Sequence, residues 1–91
     1  MILVESILGN AADPAWASRL AGATVDTFAL DHWEAQKNRL RKKTSGGLEI
    51  AISLDRGTFM QDGDVLLSDE AKRTAVVARL SLRAVMVIHL D

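Results

Sequence analysis

The most regular alternation of hydrophobic and polar positions lies between Leu48 and Leu54. Leu48, Ile50, Ile52 and Leu54 alternate with Glu49, Ala51 and Ser53. Period two puts alternate side chains on opposite faces of a strand, so this stretch predicts a strand with one face toward a core. Just upstream, Arg39, Arg41 and Lys43 recur at spacing two, with Leu40 between the first pair. Thr44-Ser45-Gly46-Gly47 separates the two runs and supplies turn residues. Together they read as a β-hairpin with one basic, polar arm and one amphipathic arm.

The remaining pattern predicts further short strands. Residues 2–8 alternate loosely and suit an opening strand that Gly9-Asn10 ends. Asp13-Pro14 can cap a short helix over residues 14–21, closed by Gly22; an ordered loop is the alternative. Val25 to Leu30 predicts a strand with Phe28 and Leu30 inward, and the polar residues Asp31 to Asn38 bridge to the basic arm. Asp55-Arg56-Gly57 and Gln61-Asp62-Gly63-Asp64 read as turns. Val65-Leu66-Leu67 begins another strand that Ser68-Asp69-Glu70 ends, and Thr74–Leu80 and Ala84–Ile88 predict two more. Val76, Val77, Leu80, Val85 and Ile88 also fit one face of a helix between Glu70 and Leu90. Their β-branched side chains favour strands. Seven short strands and at most one short helix predict an all-β fold of two small sheets packed face to face.

Bulk composition narrows the class. Ninety-one residues make one domain, 1–91, with enough chain for one modest core. A hydrophobic content of 48% and a single proline argue against disorder. A net charge of −1 gives no global attraction to nucleic acid or to an anionic membrane. The absence of cysteine excludes disulfides, thiolate metal sites and cysteine nucleophiles, and is compatible with the cytosol. No apolar run approaches the ~18 residues of a membrane span, and no basic segment precedes Met1-Ile2-Leu3-Val4 as in a signal peptide.

Candidate chemistry is sparse. His32 and His89 are the only histidines, and a metal site needs three or four converging ligands. Both are expected at the surface or rim. Asp62 and Asp64 flank Gly63; paired carboxylates can do acid–base work, but Asp-Gly-Asp is also ordinary turn chemistry, and no nucleophile or base accompanies it. Trp16 and Trp33 are expected to cover the core, with exposed partner anchors as the alternative. The chain has no phosphate loop, nucleophile elbow or dinucleotide fingerprint. No catalytic, cofactor-binding or metal residue is therefore assigned. The basic cluster Lys37, Arg39, Arg41, Lys42 and Lys43 has two readings. It is a docking strip for an acidic partner or phosphate, or a solvated strand whose charges block edge pairing. It lacks interleaved aromatics, so nucleic acid is not expected.

Order and spacing add a resemblance. Arg39-Leu40-Arg41…Thr44…Gly47…Glu49-Ile50-Ala51-Ile52…Leu54 is followed by Arg56-Gly57 and then Asp62-Gly63-Asp64-Val65-Leu66. With Gln36-Lys37-Asn38 before it, a strand-like Met1–Leu8 and Val85-Met86-Val87-Ile88 near the end, the chain resembles the amino-terminal domain of UreE-type urease accessory proteins, with residues 9–33 matching least. The resemblance implies two small mixed sheets facing each other. It implies a non-enzymatic, cytoplasmic nickel metallochaperone that assists urease maturation with other accessory proteins, including a GTPase, and is dimeric at full length. In that family the nickel ligands lie in a carboxy-terminal domain and a histidine-rich tail. Its Gly-Asn-Arg-His metal signature does not occur here, so the expectation is a partner-binding domain without the metal-binding one. Arg39, Arg41 and Lys43 are the partner-binding candidates. The alternatives are a stand-alone peptide-binding β-domain unrelated to nickel, and a small hydrolase using Asp62, Asp64 and His89.

Overall fold

The computed structural model describes residues 1–81; the strand expected over Ala84–Ile88, and His89, lie outside the described residues. Along the described chain run β1 (Ile2–Val4), β2 (Gly9–Asn10), α1 (Pro14–Ala21), β3 (Thr24–Leu30), α2 (His32–Ala35), β4 (Arg39–Lys43), β5 (Glu49–Ser53), β6 (Asp64–Asp69) and β7 (Thr74–Leu80). The strands form two mixed sheets, ordered β1-β5-β4 and β2-β6-β7-β3. The fold is mainly β, as the alternation predicts.

The hairpin forms where period two places it. β4 and β5 pair antiparallel, from Arg39 opposite Ser53 to Lys43 opposite Glu49. β1 joins β5 on its other side, parallel, with Ile2 beside Ile50 and Val4 beside Ile52. In the second sheet β3 and β7 run parallel through seven register pairs, from Thr24–Thr74 to Leu30–Leu80. That ladder makes Thr74–Leu80 a strand, and the helical alternative fails over this stretch. Ala75 to Ala78 are all buried, as expected of an inner strand covered on both faces. β6 pairs antiparallel with β7, with a register shift between Val65 and Leu67. The shift coincides with Val65-Leu66-Leu67, where the sequence itself leaves period two.

Three local expectations need correction. The single opening strand over 2–8 is instead two strands in different sheets. β1 ends at Val4, and Gly9-Asn10, expected to terminate a strand, pair with Val65 and Asp64. Asn10 is held there by its side chain, whose Nδ2 donates to Asp64 Oδ1 (2.9 Å) and to the Asp62 carbonyl (3.0 Å). The polar bridge after β3 contains a second helical turn, α2, beyond the one helix expected. Its cause is a capping box: Asp31 Oδ1 accepts from Glu34 N (2.8 Å), and Glu34 Oε1 accepts from Asp31 N (3.0 Å). The predicted helix α1 starts as expected, with the Asp13 carboxylate accepting from Ala15 N and Pro14 at its first position.

The third correction concerns Leu48. Ile50, Ile52 and Leu54 are buried, and they join Phe28, Leu30, Leu66 and Val76 in one core cluster drawn from both sheets. Leu48 is 37% exposed. It precedes β5, inside the turn, where its N–H donates to Thr44 Oγ1 and its carbonyl accepts from Thr44 N. Leu48 keeps the parity of Ile50 and Ile52, but it sits at the open end of the ladder and lines a groove with Ile2 and Val25 instead of the closed core.

Candidate partner-docking edge

Among the described residues β4 is an edge strand, at the end of the sheet ordered β1-β5-β4. Leu40 packs on the core, and Lys42 lies half-buried with its Nζ 2.9 Å from Glu34 Oε1. Arg39, Arg41 and Lys43 alternate with them and are exposed. The structure thus brings the three sequence candidates onto one side of one strand, facing solvent. Across the strand pair, Arg41 Nε sits 3.5 Å from Glu49 Oε2, with Arg41 exposed and Glu49 half-buried. Such a pair is worth little in itself. Among the described residues, Arg39 and Lys43 have no carboxylate within ion-pair distance.

One end of this edge is tied to the other sheet. Asp26, on β3, takes Thr44 Oγ1 on one carboxylate oxygen and Gly46 N (2.9 Å) on the other, and Ser45 N donates to the Thr27 carbonyl (2.8 Å). Thr44 is buried, and a Cβ on Gly46 would come within 2.8 Å of Asp26 Oδ2, so a side chain there would push the carboxylate off these bonds. The Thr44 hydroxyl bond, with the Gly46 and Thr27 N–H groups, holds the Asp26 carboxyl below its ordinary value, against an opposing effect of burial. The turn residues were legible as a turn. The carboxylate that anchors them lies in a different sheet, and no local pattern announces it.

The other candidates fall into structural roles. Asp64 is buried and accepts from Asn10 Nδ2 and Gln61 N (2.7 Å). Asp62 Oδ1 accepts from Leu80 N (2.9 Å), its other oxygen lies 3.6 Å from Arg79, and Gly63 between them sits at φ 88°. These carboxylates are occupied in building the turn, which removes the basis for the hydrolase reading. His32 is exposed, 2.9 Å from the Gln36 amide. Among the described residues no three His, Cys, Asp or Glu side chains cluster as metal ligands. Trp16 is half-buried against Gly9, with the Arg19 guanidinium 4.2 Å above its ring. Trp33 departs from the expected core cover: it is 73% exposed, because α2 is a single turn that buries only Ala35. Lys37 is exposed and apart from the β4 ladder. Sequence reasoning missed an open groove lined by Ile2, Val25, Leu48, Leu67 and Val76, with Arg19, Asp26, Glu70 and Lys72 around it. The exposed Leu48 is its only trace in the alternation. Among the described residues no helix is long and apolar enough to cross a membrane.

Comparison with known proteins gives a consistent result. Residues 4–79 match the family described as UreE urease accessory protein, N-terminal domain. The chain is 54% identical over 91 residues to the urease accessory protein UreE of Yersinia bercovieri, covering 99% of this chain and 40% of that protein. It is 55% identical over 92 residues to the UreE of Yersinia intermedia, covering 100% and 41%. It thus spans about 40% of the length of these curated relatives.

Proposed function

The chain belongs to the UreE urease accessory protein family, and from that premise we propose that it is the partner-docking domain of a cytoplasmic nickel metallochaperone. The observation that carries this reading is the family match over residues 4–79, which contains the whole β4–β5 hairpin. The role is accessory: the domain assists delivery of nickel to urease and catalyses nothing itself. Nickel is cargo, held by a carboxy-terminal domain of the family and not by this amino-terminal one. The partners are urease and its accessory proteins, including a GTPase, and the full-length protein is a dimer.

Arg39, Arg41 and Lys43 are the docking residues. A chain with a net charge of −1 concentrates three cations on one open edge, two of them without a carboxylate partner among the described residues. Such a strip raises the association rate for an acidic surface and makes binding fall with salt. The test is charge reversal of all three, Arg39→Glu, Arg41→Glu and Lys43→Glu, in the full-length protein. Pull-down of the GTPase and the urease assembly complex should weaken, and its salt dependence should flatten. Retained fold with unchanged pull-down and urease activation would refute the docking role.

A further inference from the structure

The direction in which each backbone group of β4 points has a consequence for what the edge can bind. Thr44 N donates to the Leu48 carbonyl (2.8 Å), and Leu54 N donates to the Asn38 carbonyl (2.7 Å). In an antiparallel ladder, residues bonded to the partner strand alternate with residues whose N–H and C=O point away. The register that places Leu40 opposite Ile52 and Lys42 opposite Ile50 continues both of these bonded pairs. Leu40 and Lys42 therefore bond β5. Arg39, Arg41 and Lys43 turn their N–H and C=O groups outward, away from the sheet. Among the described residues β4 pairs only with β5, and no backbone bond reaches those outward groups.

The three residues that carry the exposed cations are thus also the three that carry the open half of the ladder. We propose that β4 accepts an extended acidic segment of a partner as an added strand, with carboxylates at alternate positions opposite Arg39, Arg41 and Lys43. This rests on the docking role assigned above to the same residues and gives its mode. In an antiparallel addition, the residue directly opposite each cation shares its face, with Cβ atoms about 5 Å apart. A carboxylate there reaches Arg39 or Lys43 while the main chain fills the outward N–H and C=O groups. The charges also set the partner's sign. A second copy of β4 would bring Arg and Lys opposite Arg and Lys, so self-pairing is repelled and an acidic strand is selected. The Asp26 bonds to Thr44 and Gly46 hold one end of the edge in place before any partner arrives.

The probe is a synthetic seven-residue peptide alternating valine and glutamate, against the 91-residue chain at low salt, read by amide hydrogen exchange. In the free chain the amides of Leu40 and Lys42 should exchange slowly and those of Arg39, Arg41 and Lys43 fast. Saturating peptide should slow the latter three by at least about tenfold. The same peptide N-methylated at its glutamates keeps every charge and loses the donors that face β4. It should bind at least about tenfold more weakly and confer no protection. Equal binding of the two peptides would overturn strand addition while leaving a purely electrostatic strip. Binding of neither would also overturn it, and the charge-reversal pull-down then decides separately whether the docking role survives. Protection of Arg39, Arg41 and Lys43 in the free chain would show the edge already covered, which equally refutes the proposal.

Discussion

Single side chains decide how firmly this edge is held. Ile52 is 2% exposed and sits in the shared core, whereas Leu48, four residues earlier with the same sequence parity, is 37% exposed. Ile52→Ala should cost about 2–5 kcal/mol, because it removes buried methylenes and leaves a cavity. Leu48→Ala should cost only about 1–2 kcal/mol, since part of its side chain is already in water. Urea denaturation of the two variants measures both, and equal midpoints would mean that the core is drawn wrongly. Asp26 gives a pH-dependent case. Its carboxyl is held below the ordinary value, chiefly by the Thr44 hydroxyl. A depressed carboxyl stabilises the fold fully above its unfolded-state range, and that stabilisation is lost as pH falls through its folded-state value. Asp26→Asn should therefore lower the urea midpoint at neutral pH, and the gap to the parent chain should close under acid. A gap that widens on acidification would contradict this sign. Leu48 and Asp26 also mark what alternation cannot reveal. Period two assigned Ile50, Ile52 and Leu54 correctly because they lie in or directly after a straight strand. It overreached at Leu48, which stands at the open end of the ladder, and it gave no sign of Asp26, whose partners lie in the turn of the other sheet's hairpin.

Elements set by local chemistry were the most legible. The hairpin strands, Thr74–Leu80 and α1 follow from period two, β-branched residues and an Asp-Pro start. The two-residue β2 was not legible, because Gly9-Asn10 looks like any turn until Asp64 supplies its hydrogen-bond partner. α2 carried a readable signal, an aspartate followed three residues later by glutamate, within a segment too short for helical periodicity. Glu34 does two things there. It closes the capping box onto Asp31 N and receives Lys42 Nζ from β4 at 2.9 Å and 3.1 Å. Asp31→Ala should cost about 1 kcal/mol, as expected for loss of an N-cap. The NMR signals of the Lys42 side chain should shift with it, since α2 is what presents Glu34 to β4. A normal melting temperature with unmoved Lys42 signals would show that α2 is dispensable to the edge.

At the scale of the whole molecule, metal chemistry and folding order both follow from what is distributed where. Two histidines and no cysteine in 91 residues, with no ligand cluster among the described residues, leave little to hold a soft or borderline cation. Nickel titrated into this chain by calorimetry should show no site tighter than about micromolar, roughly −8 kcal/mol. A stoichiometric nanomolar site would place cargo binding in this domain after all. The topology speaks to a different property. β1 pairs with β5, β2 with β6 and β3 with β7, so every strand before Asp31 finds its neighbour after Gly47. Such non-local pairing closes long loops before any ladder bond forms, and it slows folding relative to a chain of local hairpins. On the ribosome the first thirty residues emerge with nothing to zip onto. β1 must wait for β5, and the second sheet cannot close until Leu80 has cleared the exit tunnel. Residues 2–30 are therefore obligate clients of residues 49–80, and cotranslational folding of this domain begins in earnest only at the β4–β5 hairpin.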